Sequence, residues 1–151
     1  MHCFVLDCSA SMLRQDRLAR AKGLLLSLFN QAAHRRAQVA LICFGGSQAS
    51  LRFGPAVPRW WNERWLAPLG GGGGTPLGLG LASAAQQLAR SARLAPAQQR
   101  WLWVLTDARS TEAPPRPQWA DEMLLVDFDD LGGGRGAELA RLWGAQWVRA
   151  D

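Results

Sequence analysis

Tyrosine is absent from this 151-residue chain, lysine occurs once at Lys22, and histidine occurs twice. No apolar run approaches the ~20 residues that cross a bilayer, so a membrane-spanning helix is excluded and no membrane partner is expected. Met1 runs almost directly into an apolar segment. The charged region, apolar stretch and cleavage site of a leader peptide are missing, so a cytoplasmic location is expected. The three cysteines, Cys3, Cys8 and Cys43, are odd in number and lack metal-ligand spacing. They read as reduced thiols, two of them in or beside buried strands. His2 and His34 have no partners that would make a catalytic pair. No serine sits in a nucleophile elbow. The glycine run from Gly70 to Gly74 lacks the lysine of a phosphate-binding loop, and Gly78-Leu79-Gly80 lacks a third glycine at dinucleotide-binding spacing. Nothing argues for independent enzymatic turnover.

What remains is a hydrophobic fraction of 48% in a chain long enough for one domain with a real core, expected to span residues 1–151. The net charge is +5, and 16 of the 17 basic residues are arginine. Such a balance can favour acidic partners or nucleic acid. The arginines are scattered along helices and loop ends, however, and a solvated surface without nucleic-acid binding is the expectation.

Apolar patterning divides the chain into alternating strands and helices. Residues 2–6, 39–44, 101–106 and 123–127 are short, nearly continuous apolar runs that read as buried strands. Residues 49–53 alternate, suit a half-exposed edge strand, and stop at Gly54-Pro55. Residues 16–35 carry Leu18, Ala21, Leu25, Leu28 and Phe29 on one helical face. A short helix is expected over 59–66, and a longer one over 77–93 behind Thr75-Pro76, with Thr75 as cap and Pro76 at the first position. Residues 137–142 are helical, and 147–149 suit a last strand. Apolar strands alternating with helices imply an α/β fold. Its central sheet is mostly parallel, with one antiparallel edge strand and helices on both faces. Sites in such sheets lie beyond the carboxyl ends of the strands, where the winding reverses.

The first strand ends in Asp7-Cys8-Ser9-Ala10-Ser11. If the chain crosses from the first pair of strands to the other side, residues 101–106 lie beside residues 2–6. Asp107 then comes to the same sheet end as Asp7. Asp7, Ser9, Ser11, Thr75 and Asp107 together form an all-oxygen set suited to a hard cation such as Mg²⁺. Two carboxylates and three neutral hydroxyls leave such an ion electrophilic, able to recruit a carboxylate from outside. Thr106 is expected to point away from Asp107 in a structural role. Asp127-Phe128-Asp129-Asp130 has the paired aspartates of some phosphotransferases, but only 21 residues follow for other catalytic parts; a solvated strand end is the simpler reading.

The order and spacing of Asp7-x-Ser9-x-Ser11, Thr75 and Asp107 resemble the metal-ion-dependent adhesion site (MIDAS) of von Willebrand factor A domains. Further stretches carry a closer resemblance over nearly the whole chain: Arg17-Leu18-Ala19-Arg20-Ala21-Lys22-Gly23, Gln38-Val39-Ala40-Leu41-Ile42, Gly72-Gly73-Gly74-Thr75-Pro76-Leu77, Leu125-Val126-Asp127, Glu138-Leu139-Ala140-Arg141 and Trp147-Val148-Arg149. They are similar to the C-terminal domain of magnesium chelatase D subunits and to cobaltochelatase subunits. The resemblance implies a three-layer, Rossmann-like von Willebrand factor A fold. It implies Mg²⁺ (or Mn²⁺) at the five residues. It also implies a non-catalytic adapter in a chelatase that inserts magnesium or cobalt during tetrapyrrole or cobalamin biosynthesis. The implied partners are an AAA+ ATPase chelatase subunit and the large tetrapyrrole-binding subunit, one of which supplies an Asp or Glu to the ion. Another AAA+ ATPase served in complex assembly is the alternative. The chain departs from the family in lacking, within these residues, an ATPase-like domain and an acidic linker. It also has Ala108 where a glycine often follows the aspartate.

Eight tryptophans complete the picture. Trp101 and Trp103 share one face of a strand and read as core. Trp60, Trp61 and Trp65 crowd one arginine-bearing segment and are candidates for partner binding, since tryptophan and arginine favour interface hot spots.

Overall fold

A computed structural model describes residues 1–59, 75–132 and 134–150. The elements are β1 (His2–Asp7), a 3₁₀ segment (Ala10–Asp16), α1 (Arg17–His34), β2 (Val39–Gly45), β3 (Gln48–Ala56), α2 (Leu77–Leu94), β4 (Trp101–Thr106), β5 (Glu122–Asp127), α3 (Arg135–Trp143) and β6 (Gln146–Arg149). The sheet order is β3-β2-β1-β4-β5-β6. All neighbours are parallel except β2 and β3. The expected architecture, a mostly parallel sheet with one antiparallel edge, is therefore present.

Strand alternation assigns the two faces. Cys3, Val5, Ala40, Ile42, Val104 and Leu125 pack with Leu81, Leu88, Leu139 and Trp143, from α2 and α3. Phe4, Leu6, Leu41, Leu105 and Val126 pack with Leu18, Leu25 and Phe29 of α1. Helices thus cover both faces, because strands apolar on each side must be shielded on each side. Gly80 lets α2 lie close to the sheet: a β-carbon there would stand 2.7 Å from the Phe44 ring. That approach carries the start of α2, and Thr75 before it, toward the ends of β1 and β2.

Differences from the sequence expectation lie at element ends. β3 continues through Pro55 to Ala56, because an outermost strand tolerates a residue with no N–H to give. α2 begins at Leu77 with no side-chain cap, so Thr75 does not cap it as expected. Trp101 and Trp103 are half-buried rather than core. Their rings stack around His2 and Phe4, and Trp103 Nε1–H donates to His2 Nδ1 at 3.2 Å. The helix expected over 59–66 falls almost wholly outside the described residues.

A candidate metal centre at the carboxyl end of the sheet

β1 lies between β2 and β4, where the winding reverses, as the apolar runs imply. The register that sets Leu6 beside Leu105 brings the two strand ends level. Thr106, not Asp107, then becomes the lateral neighbour of Asp7. Its hydroxyl donates to Asp7 Oδ2 at 2.6 Å and accepts the Ala108 N–H at 3.0 Å. Thr106 is thus a support for Asp7 as well as a strand residue. Asp107, one residue on, faces α1.

Asp7 is fully buried. Its Oδ1 accepts the Ser9 N–H at 2.8 Å, which tightens the turn and turns the loop inward. The Ser9 and Ser11 hydroxyls then stand 3.3 Å apart. Gly45 makes room for this loop, since a β-carbon there would meet the Cys8 carbonyl at 2.9 Å. Thr75 belongs to the same neighbourhood through its backbone: its carbonyl accepts the Ser110 hydroxyl at 3.2 Å, three residues past Asp107. The structure therefore gathers Asp7, Ser9 and Ser11 directly, puts Asp107 beside them, and ties Thr75 to the Asp107 loop. Ala108 sits at φ 57°, in the left-handed region that glycine adopts most readily. Trp60, Trp61 and Trp65 lie outside the described residues.

Sequence reasoning missed Arg17. It opens α1 and is almost fully buried. Its Nη1 lies 3.1 Å from Asp107 Oδ2 and also donates to the Ser11 carbonyl at 3.3 Å. Its Nη2 donates to Gln15 Oε1 at 3.0 Å. Its Nε stands 3.5 Å from Asp130 without forming a hydrogen bond. The signal was available: position 17 falls on the same stripe as Ala21, Leu25 and Phe29, where a charge needs a buried partner. Gln15 and Asp16, both with positive φ, shape the bend that delivers Arg17. The acidic cluster after β5 also differs from its reading as solvated. Asp127 and Asp129 are buried; Asp127 accepts Trp147 Nε1–H at 3.0 Å, and Asp129 pairs with Arg109 at 3.0 Å.

These contacts decide whether a cation suits the site. Burial pushes the Asp7 carboxyl above its ordinary range, opposed by hydrogen bonds from Ser9 and Thr106 and reinforced by the negative charge of Asp107. Asp7 has a hydrogen bond on each oxygen and, among the described residues, no basic side chain bonded to it. Each oxygen keeps acceptor capacity. A buried anion facing a second anion, beside paired hydroxyls, fits a small hard cation. Among the described residues no three His, Cys, Asp or Glu side chains gather as a cation cage. A site here would depend on hydroxyls and on an added ligand.

An open α/β sheet with its polar groups converging on the carboxyl ends of the central strands defines the class. Residues 3–109 match the model of the von Willebrand factor type A domain, and the chain belongs to that family. It is 39% identical over 98% of its length to the uncharacterized protein Rv2850c of Mycobacterium tuberculosis, covering 26% of that protein. It is 40% identical over 73% of its length to the magnesium-chelatase 60 kDa subunit of Cereibacter sphaeroides, covering 19% of it. The chain thus spans only about a fifth to a quarter of these relatives. Among solved structures, an aerotolerance-related membrane protein of Bacteroides fragilis matches with a TM-score of 0.76 at 19% identity, over 99% of this chain and 90% of that one. The SpRpn10 VWA domain matches with a TM-score of 0.64 at 13% identity, over 99% and 86%. These two establish likeness of fold alone. No helix among the described residues is long and apolar enough to cross a membrane.

Proposed function

We propose that this chain is a metal-dependent interaction module of an ATP-driven metal chelatase, acting as an adapter rather than a catalyst. Asp7, Ser9, Ser11, Thr75 and Asp107 would hold Mg²⁺ or Mn²⁺. The observation that carries the reading is Asp7, a buried carboxylate beside Asp107 and two adjacent hydroxyls, with no basic side chain among the described residues bonded to it. The chelatase context is supported by relatives whose own names are magnesium-chelatase subunits.

The residues divide the work. Ser9 N–H and Thr106 Oγ1–H fix the orientation of Asp7. Arg17 fixes Asp107 and offsets its charge. The Ser9 and Ser11 hydroxyls are neutral and weak ligands, so the site does not quench a divalent charge. When bound, such an ion would supply Lewis acidity toward an Asp or Glu of a partner, an AAA+ chelatase subunit or the large tetrapyrrole-binding subunit.

The test is affinity purification of the tagged chain from its native host in Mg²⁺ and in EDTA, with the captured partners identified. Chelatase subunits retained in Mg²⁺, and lost in EDTA or with Asp7→Ala or Asp107→Ala, are the expected outcome. Association that survives both substitutions would mean the metal bridge is wrong. Capture of a different AAA+ ATPase would replace the chelatase assignment with a general assembly module.

A further inference from the structure

Beside the candidate ligands lies a cavity of about 350 Å³ lined by Ser11, Arg14, Gln15, Arg17, Arg109 and Leu131. Among the described residues that line it, three of six are arginines and none is acidic. Ser11 belongs to both the cavity and the candidate ligand set, so the two places adjoin. Arg17 and Arg109 are already paired, with Asp107 and Asp129 respectively. Arg14 is exposed, and among the described residues no hydrogen bond or ion pair holds its guanidinium.

Charge balance says what this cavity lacks. Among the described residues Arg17 pairs with Asp107 and Asp130, Arg20 with Asp130 and Arg109 with Asp129, and Arg14 pairs with none. Asp16 and Lys22 line a separate cavity. A divalent cation at Asp7 would add positive charge beside this arginine-lined cavity. Among the described residues on the cavity wall, Arg14 is the guanidinium left to receive a carboxylate from outside.

We propose that the segment recognised here is an acidic peptide with two carboxylates a few residues apart. One completes the ion's coordination, and the second enters the Arg14–Arg17–Arg109 cavity. The inference rests on the metal-bridge reading for its first carboxylate only. Arg14 and Arg109 select for the second and thereby set specificity among acidic partners. A rim charge of this kind also steers association, so its contribution weakens with salt.

Two synthetic peptides with identical neutral flanks test this, one carrying a single Glu and the other two Glu separated by two residues. Each is titrated by fluorescence anisotropy against the chain in Mg²⁺ and in EDTA. The two-acid peptide is expected to bind about five- to tenfold more tightly in Mg²⁺. That ratio is expected to fall toward one in Arg14→Gln combined with Arg109→Gln. A ratio near one in the unmodified chain, or a ratio that the double variant preserves, overturns the proposal. A ratio that depends on the arginines but persists unchanged in EDTA supports the arginine cavity and overturns the metal bridge. Binding of neither peptide at millimolar concentration overturns both.

Discussion

β1 and β4 run side by side through the molecule, and their two ends solve the problem of polar groups differently. At the amino end, His2, Phe4, Trp101 and Trp103 form a half-buried aromatic stack. Within the stack the ring nitrogens pair with one another, as in the Trp103–His2 hydrogen bond, and the charges flanking it are matched, the Met1 ammonium by the Gln99 carbonyl and Arg100 by Asp121. At the carboxyl end, Asp7, Arg17, Asp107 and Asp129 are charged groups held away from water. Aromatic packing is a direct source of stability. Buried ion pairs recover little beyond their desolvation cost, so their retention points to another use. One end of the same two strands holds the fold together, while the other gathers the candidate site.

The contrast can be broken by substitutions at each end. Phe4→Ala removes a buried ring from the α1 face and should cost about 3–5 kcal/mol in chemical denaturation. The stabilisation added by Mg²⁺ should be unchanged in that variant. If the Mg²⁺ increment disappeared with Phe4, the two ends would not be separable. Arg17→Met should cost about 3 kcal/mol in EDTA, because Asp107 and its neighbours lose their buried cation. Here Mg²⁺ should recover part of the loss, and a variant equally unstable with and without Mg²⁺ would argue against a cation beside Asp107.

The smallest expected effect is a pH dependence from the amino end. Burial lowers the pKa of His2 from its ordinary 6.5. The unfolded chain then binds the proton more readily than the folded one. Stability should be full above pH 6.5 and decline as the pH falls from there through the lowered folded value. His2→Gln keeps an acceptor for Trp103 and should flatten that part of the thermal-midpoint curve. An unchanged slope would place its origin at the carboxylates instead.

Most of the sheet was legible because strands apolar on both sides have few alternatives. Residues 101–106 form β4 as the apolar run delimits it, and β1 and β2 each gain only their last residue. The convergence of Asp7 and Asp107 followed from the winding alone. The supports of the site were less legible. Arg17 sits on an apolar helical stripe, and its role appears only when Asp107 arrives from 90 residues away. Thr106 looked structural because its contact with Asp7 depends on interstrand register, which periodicity does not specify. Asp127 and Asp129 looked solvated because their partners, Trp147 and Arg109, come from separate loops and strands.

The Asp7–Thr106 and Arg17–Asp107 contacts bridge 99 and 90 residues of chain. Neither can form until the segment containing β2, β3 and α2 has been laid down and β4 has docked against β1. Contacts that close such long loops arise late and slowly. Competence to bind an ion would therefore appear together with the last steps of folding, so a partner that grips through that ion would select finished copies over nascent ones.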